Sequence, residues 1–398
     1  MYPVYPNDLR QRRTGGQVRS SAGYIKVIFM KVIFMKRVFR CSLIPTVICG
    51  VLLASFPARA GDGESADAYL RRIKTLAGHV ADGTMETRRT TAALLRTMGK
   101  PVLQYLESEL KAPEPDRRAR AALVLGEIGS PDVHPPLRGA LKDPEGSVRA
   151  QAVAAIGKLG TKESAAEIAP LIDDRDEAVR AESARVLGEL HAARYAPKIE
   201  RLLFDPSEKV RISALAAAGN LRDMAAVPAA ARALDSPSAP VRNNAVIALG
   251  KIGDRSSLPQ IRKALGDADQ WVRSSAAAAL GEMRDGEAVP LLEKAAGDES
   301  ACVRGTAASA LGDLKAERSI PSLCALLSDP RPSGFALLGP YRRTEIRDEA
   351  AEALGKITGD PRGFSKAADP AAREEALQRW RDWCEERAGE PTPKSSPP

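Results

Sequence analysis

Histidine, cysteine and carboxylate side chains are where this sequence could do chemistry, and none is placed for it. Three histidines occur, His79, His134 and His191. A metal-binding or catalytic histidine needs a second histidine or a carboxylate at ligand spacing. Each of these stands alone near a loop, so no metal site is expected. Of the five cysteines, Cys302, Cys324 and Cys384 lie in the body of the chain, too few for a disulfide framework. Cys302 and Cys324 could close one bridge within a helical hairpin or remain separate thiols, because spacing does not fix a Cα separation. No nucleophile elbow, phosphate-cradling glycine loop or Cys-His pair is present. Acids are plentiful but scattered, as on solvated helices. The residue chemistry predicts no enzyme, no catalytic residue and no cofactor.

The elements that would position any site follow a ruler. Arg118, Arg149, Arg180, Arg211, Arg242, Arg273 and Arg304 recur every 31 residues, each followed eight places on by glycine. From Arg149 to Arg304 a valine precedes the arginine. A further copy, Ile346-Arg347 to Gly355, comes 43 residues after Arg304. Apolar or small residues follow each arginine at the third, fourth and seventh places, a helical stripe. Prolines at 197, 228, 259, 290 and 321 open a shorter preceding helix, where a missing N–H costs nothing. An acid sits six residues before the arginine at Asp143, Asp174, Asp205, Asp267 and Asp298; the fourth turn departs, with Asp235 one place early. The regular glycines read as helix ends. One such hairpin cannot bury its stripe, whereas stacked hairpins share a continuous core.

The proline in the first helix, the aspartate eight residues later and the Val-Arg pair opening the second helix resemble the HEAT-repeat family, in particular its bacterial bilin-lyase-like subgroup. The resemblance covers about residues 100–359. It implies an all-α, right-handed α-α solenoid of about eight helical hairpins, with the arginine and aspartate ladders bridging adjacent repeats. It does not imply an activity, since this fold hosts many roles. The His-Glu pairs of the di-iron hydroxylase built on such repeats are absent.

The two ends are expected to cap the array. Residues 61–99 hold two helical patterns without the Val-Arg signature. At the other end, Asp369-Pro370 opens a helix within 360–388 on which Leu377, Trp380 and Cys384 share a face, with Trp383 beside it. Residues 389–398 read as a disordered tail.

Residues 1–60 read as a leader. From Met35 a basic start precedes an apolar run and Ala58-Arg59-Ala60, the pattern of a signal peptide cut between Ala60 and Gly61. The direct repeat of Lys26-Val-Ile-Phe-Met at Lys31 suggests Met35 as the true start. The run is short for a membrane span, so membrane attachment is expected only if cleavage fails. The formal net charge of +8 belongs to this leader: without it 49 basic and 50 acidic residues remain, and nucleic acid is not expected as a partner. A periplasmic or secreted location is predicted.

A partner would then be a protein or peptide lying along the second helices. The positions one, two and five after the arginine carry short polar groups, Ser213, Asn243, Asn244, Ser274, Ser275, Thr306 and Ser309, able to hold an extended peptide or simply to be solvated. Arg201, Arg232, Lys263 and Lys294 form a basic column on the first helices. An insertion near 330–341 carries Phe335 and Tyr341, which fold back on the last repeat or bind a partner. The function expected is a non-catalytic interaction scaffold. The alternatives are a bilin-lyase-type chromophore-handling enzyme and a structural subunit of a cell-envelope complex.

Overall fold

The computed structural model describes residues 65–333, 344–366 and 368–389, which fall within one compact unit, Gly63–Pro398. The leader, the insertion with Phe335 and Tyr341, and the tail from residue 390 lie outside the described residues. The described chain is an all-α solenoid.

Two helices, α1 (Ala66–Asp82) and α2 (Met85–Met98), precede the repeats, each opened by a hydroxyl N-cap, Ser65 and Thr84. The hairpins then follow as α3 (Lys100–Glu109) with α4 (Pro115–Ile128), α5 (His134–Ala140) with α6 (Gly146–Leu159), and α7 (Lys162–Ile168) with α8 (Glu177–Glu189). Next come α9 (Ala196–Leu202) with α10 (Glu208–Leu221), α11 (Val227–Ala233) with α12 (Ala239–Ile252), and α13 (Leu258–Ala264) with α14 (Gln270–Glu282). The series ends with α15 (Val289–Ala295) and α16 (Ala301–Asp313), α17 (Ile320–Leu326) and α18 (Ile346–Thr358), and the terminal α19 (Pro370–Gly389). Pro197, Pro228, Pro259, Pro290 and Pro321 all lie in the first turn of their helices.

The apolar stripe is the core. Val148, Val179, Val210, Val241, Val272, Val303 and Ile346 are buried, as are the alanines and leucines three, four and seven places after each arginine. Each side chain so enclosed contributes about 1.5–3 kcal/mol when it is Val, Leu or Ile, but only when the next hairpin is stacked upon it.

The repeated glycines do not end the helices, as their regularity suggested. They lie inside them and let the next second helix come close: a Cβ on Gly126 would fall 2.7 Å from the Cα of Ala155, and one on Gly188 2.6 Å from that of Ala217. The helices end at left-handed residues instead. Some are glycines, such as Gly160 and Gly253, but His191, Arg222, Arg284 and Lys315 also adopt positive φ there.

At the C-terminal end, Asp369 accepts hydrogen bonds from the N–H groups of Ala371 and Ala372 and starts α19. Trp380 is fully buried, edge-on to Trp383 at 5.3 Å, and the Arg362 guanidinium lies 5.0 Å from both rings. Arg373 pairs with Asp348 at 2.9 Å. A disulfide joins Cys384 of α19 to Cys324 of α17, with Cα atoms 5.9 Å apart, and Cys302 is a free thiol. The open choice for Cys302 and Cys324 is thus replaced by a third pairing. Cys302 sits at the start of α16, within 3.2 Å of the Ser274 hydroxyl, whereas Cys324 sits on the shorter first helix that α19 covers.

Candidate functional site

The turn between the two helices of each repeat builds the ladder. Arg118 donates to both carboxylate oxygens of Asp143 at 2.7 and 2.9 Å, and Arg149 to those of Asp174 at 2.8 and 2.6 Å. The same fork joins Arg180 to Asp205, Arg242 to Asp267 and Arg273 to Asp298, all between 2.7 and 2.9 Å. Arg304 reaches Asp329 at 3.0 Å. Each aspartate lies in the repeat after its arginine. The remaining guanidinium nitrogen donates to two carbonyls of the arginine's own turn, as Arg149 does to Asp143 and Pro144. One carboxylate oxygen also accepts the N–H two residues on, as Asp174 does from Asp176.

These pairs are largely out of water: the side chains of Arg149 and Asp174 are 7% and 9% exposed. Hydrogen bonds from Arg118 and Arg242 hold the Asp143 and Asp267 carboxyls below the usual carboxylate range. Burial alone would raise Asp174, Asp205 and Asp298, but the arginine forks and the turn amides outweigh it and lower them too. Breaking such a pair by removing one partner costs about 3–5 kcal/mol. Two arginines depart. Arg211 donates only to the carbonyls of Asp205 and Pro206, because Ser236 occupies the place of the next aspartate. Arg347 pairs with Glu345 and with Glu374 of the terminal helix.

The short polar groups of the second helices lie closer to their neighbours than their spacing suggested. Ser274 is buried, and Ser213, Asn243, Asn244, Ser275, Thr306 and Ser309 are half-buried. Ser275 donates to Asn243 at 2.7 Å, and the Ser274 and Thr306 hydroxyls lie 2.9 Å apart. Asn244 donates to the Pro240 carbonyl of its own helix. Asn243, Ser274, Ser275 and Thr306 therefore tie adjacent repeats together, because the glycine approach draws neighbouring second helices into hydrogen-bonding reach.

Two large apolar side chains on this face are exposed, Ile247 and Trp271. Trp271 was not foreseen as a face residue; the signal was its place two before the arginine, where other repeats carry Ser147, Ala178, Lys209, Pro240 and Cys302. At the one, two and five positions, α10, α12, α14 and α16 present no charge. On one flank, α8 presents Glu182 and Arg185 as an ion pair; on the other, α18 presents Glu349 and Glu352, both bridged by Lys366.

The basic column is largely answered by the preceding turns. Arg201 meets Asp173 at 3.1 Å, Arg232 lies over the Phe204 ring, and Lys263 is 3.7 Å from Asp235. His134 is less isolated than its sequence neighbours implied, with Nε2 3.3 Å from a Glu167 oxygen. That pair is two groups, and no cluster of three metal-ligating side chains occurs among the described residues. No described helix is long and apolar enough to cross a membrane.

Models of HEAT repeats match residues 100–188, 139–203, 196–280 and 258–337, together more than half of the chain. The chain belongs to the HEAT-repeat family. No curated protein sequence matches it. Among solved structures, an engineered protein is 18% identical, with 79% of this chain and 98% of that chain covered and a TM-score of 0.40. The CpcE–CpcF complex of phycocyanin lyase from Nostoc sp. PCC7120 is 18% identical, with coverage of 71% and 94% and a TM-score of 0.32. Yeast importin-beta, Kap95p, is 13% identical, with coverage of 79% and 48% and a TM-score of 0.49. At these identities and scores no activity or partner transfers to this HEAT-repeat chain.

Proposed function

We propose that this HEAT-repeat chain is a non-catalytic scaffold that binds a protein or peptide along its second helices, and that it works outside the cytoplasm. The observation that carries the binding role is the face of α10, α12, α14 and α16. Four adjacent helices present small polar groups with Ile247 and Trp271 exposed among them, and charged helices bound them on both sides. At 8–10 Å between packed helices, four helices span about 30–40 Å, room for roughly ten residues of extended chain. Phe335 and Tyr341 belong to the same proposal as partner contacts on the strength of their sequence alone.

The Cys324–Cys384 bridge supports export, because such bonds persist in oxidising compartments and are rare in reducing ones. The repeat pattern supports assigning the chain to the bilin-lyase-like subgroup for its architecture and not for its activity, since a protein exported as proposed would not meet cytoplasmic pigment chemistry.

Two measurements test this. N-terminal sequencing of the mature protein should begin at Gly61, and an intact Met1 refutes export. A photo-crosslinking residue at Ser275 should capture a partner from an envelope extract, while one at Lys263 should not. Crosslinks confined to the two ends of the array refute the second-helix face.

A further inference from the structure

The repeats are not joined alike. We infer that the solenoid has a built-in articulation between the repeat ending at Arg222 and the repeat beginning at Asp223, where α10 meets α12. Separate observations coincide there.

On the ladder side, the joint lacks the carboxylate that six others have. Ser236 keeps the turn, its hydroxyl accepting from the N–H of Ser238, but it offers Arg211 no charge. Asp235, one place early, points outward with 79% of its side chain exposed and reaches only Lys263, at 3.7 Å.

On the first-helix side, Glu200 of α9 faces Asp223 at the start of the next repeat. Two repeats further on, the equivalent positions are Arg262 and Asp285, paired through both carboxylate oxygens at 2.5 and 2.6 Å. Here like charges stand where that one joint has a fork. Asp223 caps Ala225 with one oxygen, while its other oxygen is buried with no donor as long as both carboxyls are ionised. Burial first, then the Asp223 charge and a carboxyl–carboxyl hydrogen bond to Asp223, push the Glu200 carboxyl up. No other charged group contributes to that rise.

The helix approach is also looser here than at some other joints. A Cβ on Gly219 would meet the Cα of Ala248 at 3.1 Å, against 2.6 Å from Gly188 to Ala217 and 2.7 Å from Gly312 to Ala353, although the next joint is wider still, 3.5 Å from Gly250 to the Cα of Ala279. A recess of about 510 Å³ runs across the ends of α10, α12 and α14, from Gly219 and Asn220 past Gly250 and Lys251 to Glu282 and Met283, and so borders this joint and the next. Apart from the carboxyl pair, one side-chain hydrogen bond crosses the α10–α12 joint among the described residues, from Lys251 to the side-chain oxygen of Asn220 at 2.9 Å, and Arg232 lies 5.7 Å over the Phe204 ring; both contacts are at the surface.

The apolar core still crosses the joint through Ala214, Leu215, Ala218, Val241, Ala245 and Leu249, all buried. The joint therefore bends without separating. In an array where each repeat contacts only its neighbours, a weaker interface is where motion concentrates. It lies between Ser213 and the Asn243–Asn244 pair, inside the uncharged face, so bending changes the spacing of that face. The articulation itself does not depend on any partner.

Amide hydrogen exchange on the full chain tests it. Amides of 236–245 should exchange faster than their counterparts at 267–276 and 298–307. Ser236→Asp restores the fork and should slow exchange at 236–245 by about tenfold, the effect of one charge-assisted hydrogen bond, leaving 267–276 unchanged. Asp298→Ser should move fast exchange to the joint between α14 and α16. Uniform exchange across the three segments in the wild type overturns the inference, as does a folded Ser236→Asp variant with unchanged exchange. If Ser236→Asp does not fold, Glu200→Gln provides the second variant: it should slow the same segment, and no change there overturns the inference.

Discussion

The attachment of α19 and the joint between α10 and α12 are opposite solutions to one problem, holding a hairpin against its neighbour. The terminal helix is tied by a disulfide, by a buried tryptophan under an arginine, and by Arg373 on Asp348 and Arg347 on Glu374. The α10–α12 joint has alanine and leucine contacts, an exposed lysine tie, an arginine over the exposed Phe204 ring, and two facing carboxyl groups. An array end has one neighbour only, so half of its apolar face would otherwise meet water. A middle repeat is held from both sides and tolerates a loose interface. Rigidity is therefore concentrated where the chain would fray, and compliance where the uncharged face runs.

Removing the disulfide should sharpen this contrast most. Cys324→Ser opens a covalent loop spanning 60 residues, which in the chain-entropy account is worth about 4 kcal/mol. Thermal unfolding followed by tryptophan fluorescence should show Trp380 and Trp383 releasing at a lower temperature than the helical signal of the repeats. A single unchanged transition for both signals would mean that the bridge adds nothing to docking of α19.

Next in size is the ladder. Asp298→Ala leaves the Arg273 guanidinium, 10% exposed, without its carboxylate, and a loss of about 3 kcal/mol follows for such a buried pair. Asp235→Ala removes an exposed acid next to the same kind of turn and should cost about 0.5 kcal/mol or less. Urea titration of the two variants checks the difference; equal midpoints would erase the distinction between regular and irregular joints.

Glycine substitutions come third. Gly188→Ala forces a methyl group to within 2.6 Å of backbone that cannot turn aside, whereas Gly219→Ala meets its neighbour at 3.1 Å. Overpacking of the first kind costs about 1–3 kcal/mol. The second exchanges a smaller clash for the better helix propensity of alanine, nearly 1 kcal/mol, and should be close to neutral. Comparable losses in denaturation midpoint would show that the α10–α12 spacing is as tight as that between α8 and α10.

How much of this was legible depends on whether a residue type has one use or two. Arginine and aspartate at fixed offsets mark the ladder, and the displacement of Asp235 already marked the broken rung. Glycine has two uses in helices: its freedom at positive φ suits an end, and its missing side chain suits close approach. Spacing cannot separate these, so Gly126 and Gly188 read as ends, while ends made by Arg222 or Lys315 left no mark. The same approach explains the polar face, since Ser274 counts as outward on an isolated helix and is enclosed only by its neighbour. Cys324 and Cys384 could not be paired without knowing that α19 docks on α17. Glu200 and Asp223 look like any scattered acids until the equivalent Arg262–Asp285 fork shows that the two positions face each other across a joint.

The smallest effect is one of pH, and it has opposite signs in the two kinds of joint. The ladder aspartates have lowered carboxyls, so their contribution is present above the unfolded value of roughly 4. It is lost as pH falls through the folded value, about 2 for Asp329, where the Arg331 hydrogen bond leads. The Glu200 carboxyl is raised, so the folded state holds its proton more tightly than the unfolded chain does. Its penalty is present above that raised value, and lowering the pH toward about 4 relieves it while the ladder is still intact. Between neutral pH and about 4, exchange at 236–245, corrected for its intrinsic pH dependence, should slow relative to 267–276. Glu200→Gln should remove the response. A parallel response of both segments, or one that survives Glu200→Gln, would assign the looseness of this joint to its missing arginine–aspartate fork alone.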